Sequence, residues 1–243
     1  MAFFGVIPAR YASTRFPGKP LALIHGKPMI QWVYERSCGS DLASVVVATD
    51  DQRIMDAVHS FGGKAVMTSP HHQSGTERCA EVAEALNLNP DDVVVNIQGD
   101  EPYIRSEAIN LLISQFLNPE TDIATLAKEF LPDENPDNPN MVKVTFSATG
   151  RALAFSRSPI PYYRNTEVAR RYFKHIGIYA YRYRILREIV KLPLAPLENA
   201  EKLEQLRWLE NDFTIRVASC DYESVAIDTP EDLVRAEQIT DFL

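Results

Sequence analysis

Phe3-Phe4-Gly5-Val6-Ile7-Pro8-Ala9-Arg10-Tyr11-Ala12-Ser13-Thr14-Arg15-Phe16-Pro17-Gly18-Lys19-Pro20 sets the architecture of this chain. The apolar run Phe3 to Ile7 reads as a buried strand that ends abruptly at a proline. The loop behind it carries the cations Arg10, Arg15 and Lys19, the hydroxyls Ser13 and Thr14, and a late glycine, Gly18. Pro28-Met29-Ile30-Gln31-Trp32-Val33-Tyr34 then reads as a helix with proline in its first turn. A strand that delivers cations to a loop at the carboxyl edge of a sheet suits a polyphosphate. Open α/β sheets bind ligands at that edge, and fixed cations stabilise charge on phosphoryl oxygens. Taken alone, three charges in a surface loop fit a merely solvated βα connection equally well.

Working outward, strand-like and helix-like segments alternate. Val45 to Thr49 is a β-branched run, and Ile54, Val58 and Phe61 follow at helical spacing until Gly62-Gly63. Lys64 to Thr68 is the next strand, Ser69 to Thr76 a polar loop, and Ala80, Val82, Ala83 and Leu86 mark a helix. Asp92-Val93-Val94-Val95-Asn96-Ile97-Gln98 is the clearest buried strand, and a helix over 106–117 and a strand over 122–127 complete a first half. Repeated βα units with near-continuous apolar strands imply a parallel sheet with helices on both faces.

After a proline-rich connector, 131–140, the pattern changes. Val142–Phe146 and Leu153–Ser156 alternate like antiparallel strands, and Tyr172–Tyr181 reads as an aromatic strand. Leu197, Ala200, Leu203, Leu206 and Leu209 predict one amphipathic helix. A strand over Phe213–Ala218 and a helix after Thr229-Pro230 close the chain. The expected fold class is α/β, a Rossmann-like, mostly parallel sheet with a smaller β-rich inserted subdomain. Within one domain, 1–243, the divisions fall at 1–130, 131–222 and 223–243.

Composition narrows the function classes. With 45% hydrophobic and 24% charged residues, the 243-residue chain is ordinary for a globular protein. A net charge of −8 argues against a nucleic-acid partner, which usually meets a basic face. The cations instead concentrate at Arg10/Arg15/Lys19 and at Arg164/Arg170/Arg171/Lys174, which fits local positive pockets for a small anion. Cys38, Cys79 and Cys220 show no metal spacing and read as reduced thiols of a cytoplasmic protein, with Cys38 and Cys79 filling the core. No signal peptide is visible, and no apolar stretch approaches the roughly 18 residues of a membrane span.

Three polar stations carry the chemistry. Gln98-Gly99-Asp100-Glu101-Pro102 follows the strongest strand, so Asp100 is placed to ligate magnesium beside the first loop. Magnesium takes one or two protein carboxylates and completes its shell with phosphate and water. A turn or cap aspartate is the alternative there. Asp228 leaves a strand just ahead of Thr229, a natural N-cap with Pro230 at N1 and Asp232 at N3. The third station is His71-His72-Gln73-Ser74-Gly75-Thr76-Glu77-Arg78. Adjacent histidines without a third ligand motif make a poor zinc site, and a base-reading loop fits better.

Together these segments resemble the 3-deoxy-manno-octulosonate cytidylyltransferases, from residue 4 to about residue 240. The match runs through Ile7-Pro8-Ala9-Arg10, Ser13, Arg15, Pro17-Gly18-Lys19-Pro20-Leu21, Gly26-Lys27-Pro28-Met29-Ile30, Ala48-Thr49-Asp50 and His72 to Arg78. It continues through Asn96-Ile97-Gln98-Gly99-Asp100-Glu101-Pro102, Phe155-Ser156-Arg157, His175-Ile176-Gly177-Ile178-Tyr179, Leu203-Glu204-Gln205-Leu206-Arg207 and Asp228 to Leu233. The first loop alone would also admit sialic-acid cytidylyltransferases. The His-Gln-Ser-Gly-Thr-Glu-Arg and Asn-Ile-Gln-Gly-Asp-Glu-Pro runs are far more specific.

The resemblance implies a nucleotidyltransferase fold and the reaction of CTP with an octulosonic acid, with Mg2+, to give the CMP-sugar and pyrophosphate for lipopolysaccharide synthesis. It implies that Pro8, Ala9, Arg10, Ser13, Arg15, Lys19, Ser74, Gly75 and Thr76 hold the nucleotide. Arg10, Lys19, Asp100 and Asp228 become catalytic, the two aspartates as metal ligands. Arg78, Gln98, Arg157, His175, Tyr179, Glu204 and Gln205 become the sugar site. Relatives are typically homodimers, with 1–130 binding the nucleotide, 131–222 the sugar and the partner subunit, and 223–243 closing the metal site. The dense set Tyr172, Phe173, Tyr179, Tyr181, Tyr183, Ile185, Leu186, Ile189 and Leu192 is where an interface is expected. Two departures, the short segment 165–174 and Glu223-Ser224-Val225-Ala226-Ile227 before Asp228, leave the 8-amino octulosonate or another 2-keto sugar acid open as acceptor. A non-catalytic nucleotide-binding module is the reading from another class, and the retained carboxylates and cations oppose it.

Overall fold

The computed structural model describes residues 1–12 and 16–239. The leading strand β1 (Phe3–Ala9) is followed by a small hairpin, β2 (Leu23–Ile24) and β3 (Lys27–Pro28), which feeds α1 (Met29–Cys38). The units β4 (Ser44–Thr49), α2 (Gln52–Ser60), β5 (Ala65–Met67), α3 (Gly75–Ala85), β6 (Val93–Asn96) and α4 (Ser106–Ser114) come next, then β7 (Ile123–Glu129). The second half contains β8 (Lys143–Phe146), β9 (Ala152–Ser156), β10 (Phe173–Arg182), α5 (Tyr183–Ile189), α6 (Pro196–Glu201), α7 (Glu204–Glu210), β11 (Ile215–Ser219) and α8 (Pro230–Ala236).

Among the described residues the large sheet has nine strands, with the path β11-β7-β10-β6-β1-β4-β5. The pairs β1–β4, β1–β6, β4–β5 and β7–β11 are parallel, and β10 runs antiparallel to both β6 and β7. This is the expected mostly parallel sheet. The β-rich part is continuous with it, since β8 pairs with both β9 and β10.

The strands are apolar on both sides because both faces are covered. Side chains alternate across a strand, so Val6, Val46 and Val94 meet Cys79, Val82 and Trp208 on one face. Ile7, Val47 and Val95 meet Ile30, Val33, Ile54 and Ile109 on the other. A third cluster, Ile24, Met29, Tyr103, Ile227 and Ala236, matters most for the site. It packs α8 and the segment before it against the first hairpin, with the Tyr103 hydroxyl donating to the Ala236 carbonyl at 2.6 Å.

Several expectations need correction. The helix expected over Leu197–Leu209 is two helices, because Lys202 adopts a left-handed φ of 53° between them. The helix α5 went unrecognised, its residues having been grouped with the aromatic strand before it. Of that apolar set, Tyr179, Tyr181, Tyr183, Ile185, Leu186 and Ile189 are buried in this chain's own core, so they offer no exposed interface. Cys38 is exposed rather than a core filler, while Cys79 is buried as expected. Two of the four cations in the second cluster are also not free. Arg171 pairs with Glu129 at 2.6 Å, and Lys174 pairs with Glu134 and Glu223, so those charges are neutralised locally.

Candidate active site

Lys19 sits in a short turn that begins at Gly18, whose φ of 74° favours glycine. A Cβ there would also lie 3.1 Å from the Tyr11 ring, while the Gly18 N–H donates to the Tyr11 carbonyl at 2.9 Å and closes the loop. From this turn the Lys19 ammonium donates to Asp100 Oδ2 at 2.6 Å and to Asp228 Oδ1 at 3.3 Å. Residues 19, 100 and 228 are thus brought together from three distant parts of the sequence. Gly99 permits it, since a Cβ at that position would stand 2.7 Å from the Pro8 carbonyl oxygen. The two carboxylate loops are also joined through the backbone, the Ile227 N–H donating to the Asp100 carbonyl at 2.9 Å. Thr229 caps α8 as expected, in a capping box with Asp232, but the strand expected ahead of Asp228 does not form: β11 ends at Ser219, and 220–228 run as irregular chain held by such bonds as that of Ile227.

These residues floor a crevice of about 330 Å³ at the carboxyl ends of β1 and β6. Pro8, Ala9, Arg10, Lys19, Gly75, Arg78, Gln98, Gly99, Asp100 and Asp228 all line it. Ser13 and Arg15 lie outside the described residues. Glu101, next to Asp100, does not line the crevice. It is buried and accepts from the Tyr222 hydroxyl at 3.1 Å, and burial pushes its carboxyl up to about 7.

Two carboxylates facing one ammonium form a hard, anionic oxygen pair. Among the described residues, no group of three or more His, Cys, Asp or Glu side chains could hold a metal by itself. That donor set fits magnesium, which draws its remaining ligands from phosphate and water. It does not fit zinc, which favours nitrogen and sulfur donors. His72 instead lies against Glu81 and Glu77, 3.4 Å from the latter, and so fixes the 69–74 loop on α3.

The α3 end differs from a simple base-reading loop. Ser74 caps the helix by accepting from the Glu77 N–H, and the buried Thr76 hydroxyl donates to Glu204 Oε2 at 2.7 Å. With both side chains engaged, the backbone around Gly75 is what faces the crevice. Burial raises the Glu204 carboxyl above the usual carboxylate range, against the lowering effect of hydrogen bonds from Thr76 and Ser74. Arg78 is 1% exposed, and its guanidinium donates to Asp50 Oδ2 at 2.5 Å and to the Thr68 hydroxyl at 2.7 Å. It forms crevice wall while pinning the ends of β4 and β5.

Of the remaining sugar-site residues, Gln98 lines the crevice, while Arg157, His175, Tyr179, Glu204 and Gln205 are not among the residues that line it. Gln98 reaches β10 by donating to the Gly177 carbonyl at 3.1 Å. Arg157 donates from Nε to the Glu201 carbonyl at 2.7 Å and from Nη1 to the Pro139 carbonyl at 2.8 Å. Gln205 is buried on α7. Sequence reasoning missed Glu201, whose carboxylate accepts from the Ser156 hydroxyl and the Arg157 N–H and so fixes this corner. It also missed the buried Lys143, which holds the Arg157 carbonyl. A lysine within a predicted strand and a glutamate within a predicted helix look like solvated positions, so no local signal marks them.

His175 Nε2 lies 3.0 Å from the Thr125 hydroxyl, and the ring packs against Phe155 and Tyr179. Burial lowers its pKa from 6.5 to about 3, so it is neutral at working pH. The unfolded chain binds this proton near 6.5 and the folded chain only near 3, so the linked stability is full above 6.5 and is lost as pH falls between these values. Wild-type stability in urea is therefore expected to fall more steeply between those two pH values than that of His175→Gln. Parallel curves would contradict this.

The chain is similar to known proteins along nearly its whole length. The family model for cytidylyltransferases matches residues 4–216. A 3-deoxy-manno-octulosonate cytidylyltransferase of Phocaeicola vulgatus is 54% identical over 98% of this chain and 96% of its own length. An 8-amino-3,8-dideoxy-manno-octulosonate cytidylyltransferase of Shewanella frigidimarina is 52% identical, covering 96% of each. Among solved structures, a CMP:2-keto-3-deoxy-manno-octonic acid synthetase complexed with CTP superposes with a TM-score of 0.92 at 45% identity, covering 98% of each chain. The chain belongs to the cytidylyltransferase family.

Proposed function

We propose that this chain transfers CMP from CTP to the anomeric hydroxyl of 3-deoxy-manno-octulosonate, releasing pyrophosphate and activating the sugar for lipopolysaccharide synthesis. The observation that carries this is the convergence of Lys19, Asp100 and Asp228 on the floor of a crevice walled by Pro8, Ala9, Arg10 and Gly75. The structural neighbour with CTP bound supports the donor, and the names of the relatives support the acceptor.

In this reading the anomeric oxygen attacks the α-phosphorus, one P–O bond forms, and the bond to the departing pyrophosphate breaks. Such transfer depends on positioning and on charge stabilisation. Arg10 and Lys19 hold the triphosphate and oppose the charge that builds on the leaving group. Asp100 and Asp228 would hold a magnesium ion, which when bound neutralises phosphate charge. Arg157 would meet the sugar carboxylate with the N–H groups left over from its Nε and Nη1 bonds to the Glu201 and Pro139 carbonyls. Glu204, tied to Thr76, links the sugar side to the loop that faces the nucleotide.

Donor and acceptor roles separate by substitution. Lys19→Ala is expected to weaken CTP binding or slow pyrophosphate departure. Arg157→Ala raises the KM for the sugar by about tenfold, equivalent to one charge-assisted hydrogen bond, and leaves CTP affinity unchanged. Calorimetry with CTP alone checks this, and a large loss of CTP affinity in Arg157→Ala would contradict it.

One observation favours the octulosonate over its 8-amino analogue. Relatives from Phocaeicola vulgatus, Parabacteroides distasonis and Bacteroides thetaiotaomicron, 51–54% identical over nearly the whole chain, are all named for the octulosonate, and the 8-amino name falls on one at 52%. Given equal amounts of the two sugars with CTP, the enzyme should yield mainly the CMP-octulosonate by mass spectrometry. A product dominated by the amino sugar would overturn the acceptor assignment.

The reading includes a cytoplasmic homodimer joined through the 131–222 part. The exposed Leu153, Tyr162 and Val168 of that part support a covered surface there. Among the described residues no helix is long and apolar enough to cross a membrane. Light scattering should give about twice the 27.4 kDa chain mass, and a monomer mass would contradict the dimer.

A further inference from the structure

Two buried polar groups beside the crevice lack partners. Asn96, the last residue of β6, is 4% exposed, and its Oδ1 accepts no hydrogen bond among the described residues. Tyr179 on β10 is 7% exposed, and its hydroxyl is likewise unpartnered. The two residues are directly opposite in the antiparallel β6–β10 register, so their side chains leave the sheet on the same face.

That face runs into the crevice wall. A Cβ on Gly75 would lie 3.6 Å from both Oδ1 and Nδ2 of Asn96, and 3.3 Å from Pro8 Cγ. Gly75 and Pro8 both line the crevice, as does Gln98, two residues beyond Asn96. The rest of the face is apolar, with Val6, Val94, Cys79 and Trp208 packed together. An unpaired amide oxygen in such surroundings is unfavourable, and an apolar residue of the same shape would avoid the penalty. The arrangement makes physical sense when a third party supplies the missing hydrogen bonds.

We propose that Asn96 is a further acceptor-binding residue, its amide acting with the Tyr179 hydroxyl to receive hydroxyl groups of the octulosonic acid. This rests on the acceptor reading given above. A polyol carries paired donors and acceptors, which the acceptor oxygen and two donors of an amide complement. The register with β10 places Asn96 with the strand that carries His175 and Tyr179, so the sugar rather than the nucleotide is its ligand.

The test uses Asn96→Leu, close in shape, and Asn96→Ala, with the KM for octulosonate and the calorimetric affinity for CTP measured on each. The expected result is a rise in sugar KM of about tenfold or more, the equivalent of one lost buried hydrogen bond. CTP affinity stays within about twofold of wild type, since no nucleotide contact is removed. An unchanged sugar KM, or parallel losses for sugar and CTP as a merely structural role would give, overturns the assignment. A wild-type protein that does not turn over octulosonate at all would overturn the acceptor reading beneath it, a result distinguishable from failure of the variants alone.

Discussion

Asp100→Asn and Asp228→Asn should each abolish turnover at saturating magnesium while leaving the fold intact. The amide is nearly isosteric, so no cavity forms and only the negative charge is lost. Their side chains are 28% and 41% exposed, so their pairing with Lys19 adds little to stability. Exposed ion pairs contribute on the order of 1 kcal/mol or less. In the proposed reaction the same charge would hold a cation against the triphosphate, and no third acidic or imidazole ligand stands with the pair among the described residues. Steady-state rates and melting curves check this together. Activity above about a tenth of wild type, a barrier change of only ~1.4 kcal/mol, would contradict the metal-ligand role.

The largest stability effect is expected at Arg78. Its guanidinium is 1% exposed and bound to Asp50 and Thr68, and the Asp50 side chain is 17% exposed. Arg78→Met keeps the bulk of the side chain but strands a largely buried carboxylate, which costs about 3–5 kcal/mol. For a chain of this size that lowers Tm by roughly 10 °C. Pairing it with Asp50→Leu should restore much of the loss, since the stranded charge is then gone. A fall below about 3 °C in the single variant would show that the pair contributes little.

The contrast between these two sites shows what the sequence can reveal. Lys19 and Asp100 were legible because each follows a strongly patterned element, an apolar strand or a valine run, and Asp228 because it stands directly before a capping box at a helix start. Their meeting follows from the rule that parallel strands present loops at one edge. Arg78 was legible only as part of a motif, and its partner Asp50 looked like any residue starting a helix. The bond between Thr76 and Glu204 spans 128 positions, and no local pattern encodes it.

The second half was read less well for a related reason. Aromatic residues on β10 and apolar residues on α5 look alike as a surface patch or as core until the sheet is assembled. In the fold, Trp208 lies edge-on to both Tyr179 and Tyr181, with centroids 5.0 and 5.5 Å away, so that cluster closes on itself. The break at Lys202 was hidden because the leucine spacing continues across it. The chain turns there in a left-handed conformation, and the second helix restarts at Glu204, the residue that reaches Thr76.

Pyrophosphate release from CTP, magnesium and 3-deoxy-manno-octulosonate, followed together with formation of the CMP-sugar, tests the account most directly. The account predicts one pyrophosphate for each CMP-sugar formed, with no release when the sugar, the metal or CTP is omitted. Pyrophosphate released at the same rate without the sugar, or no CMP-octulosonate formed in the complete mixture, would contradict it.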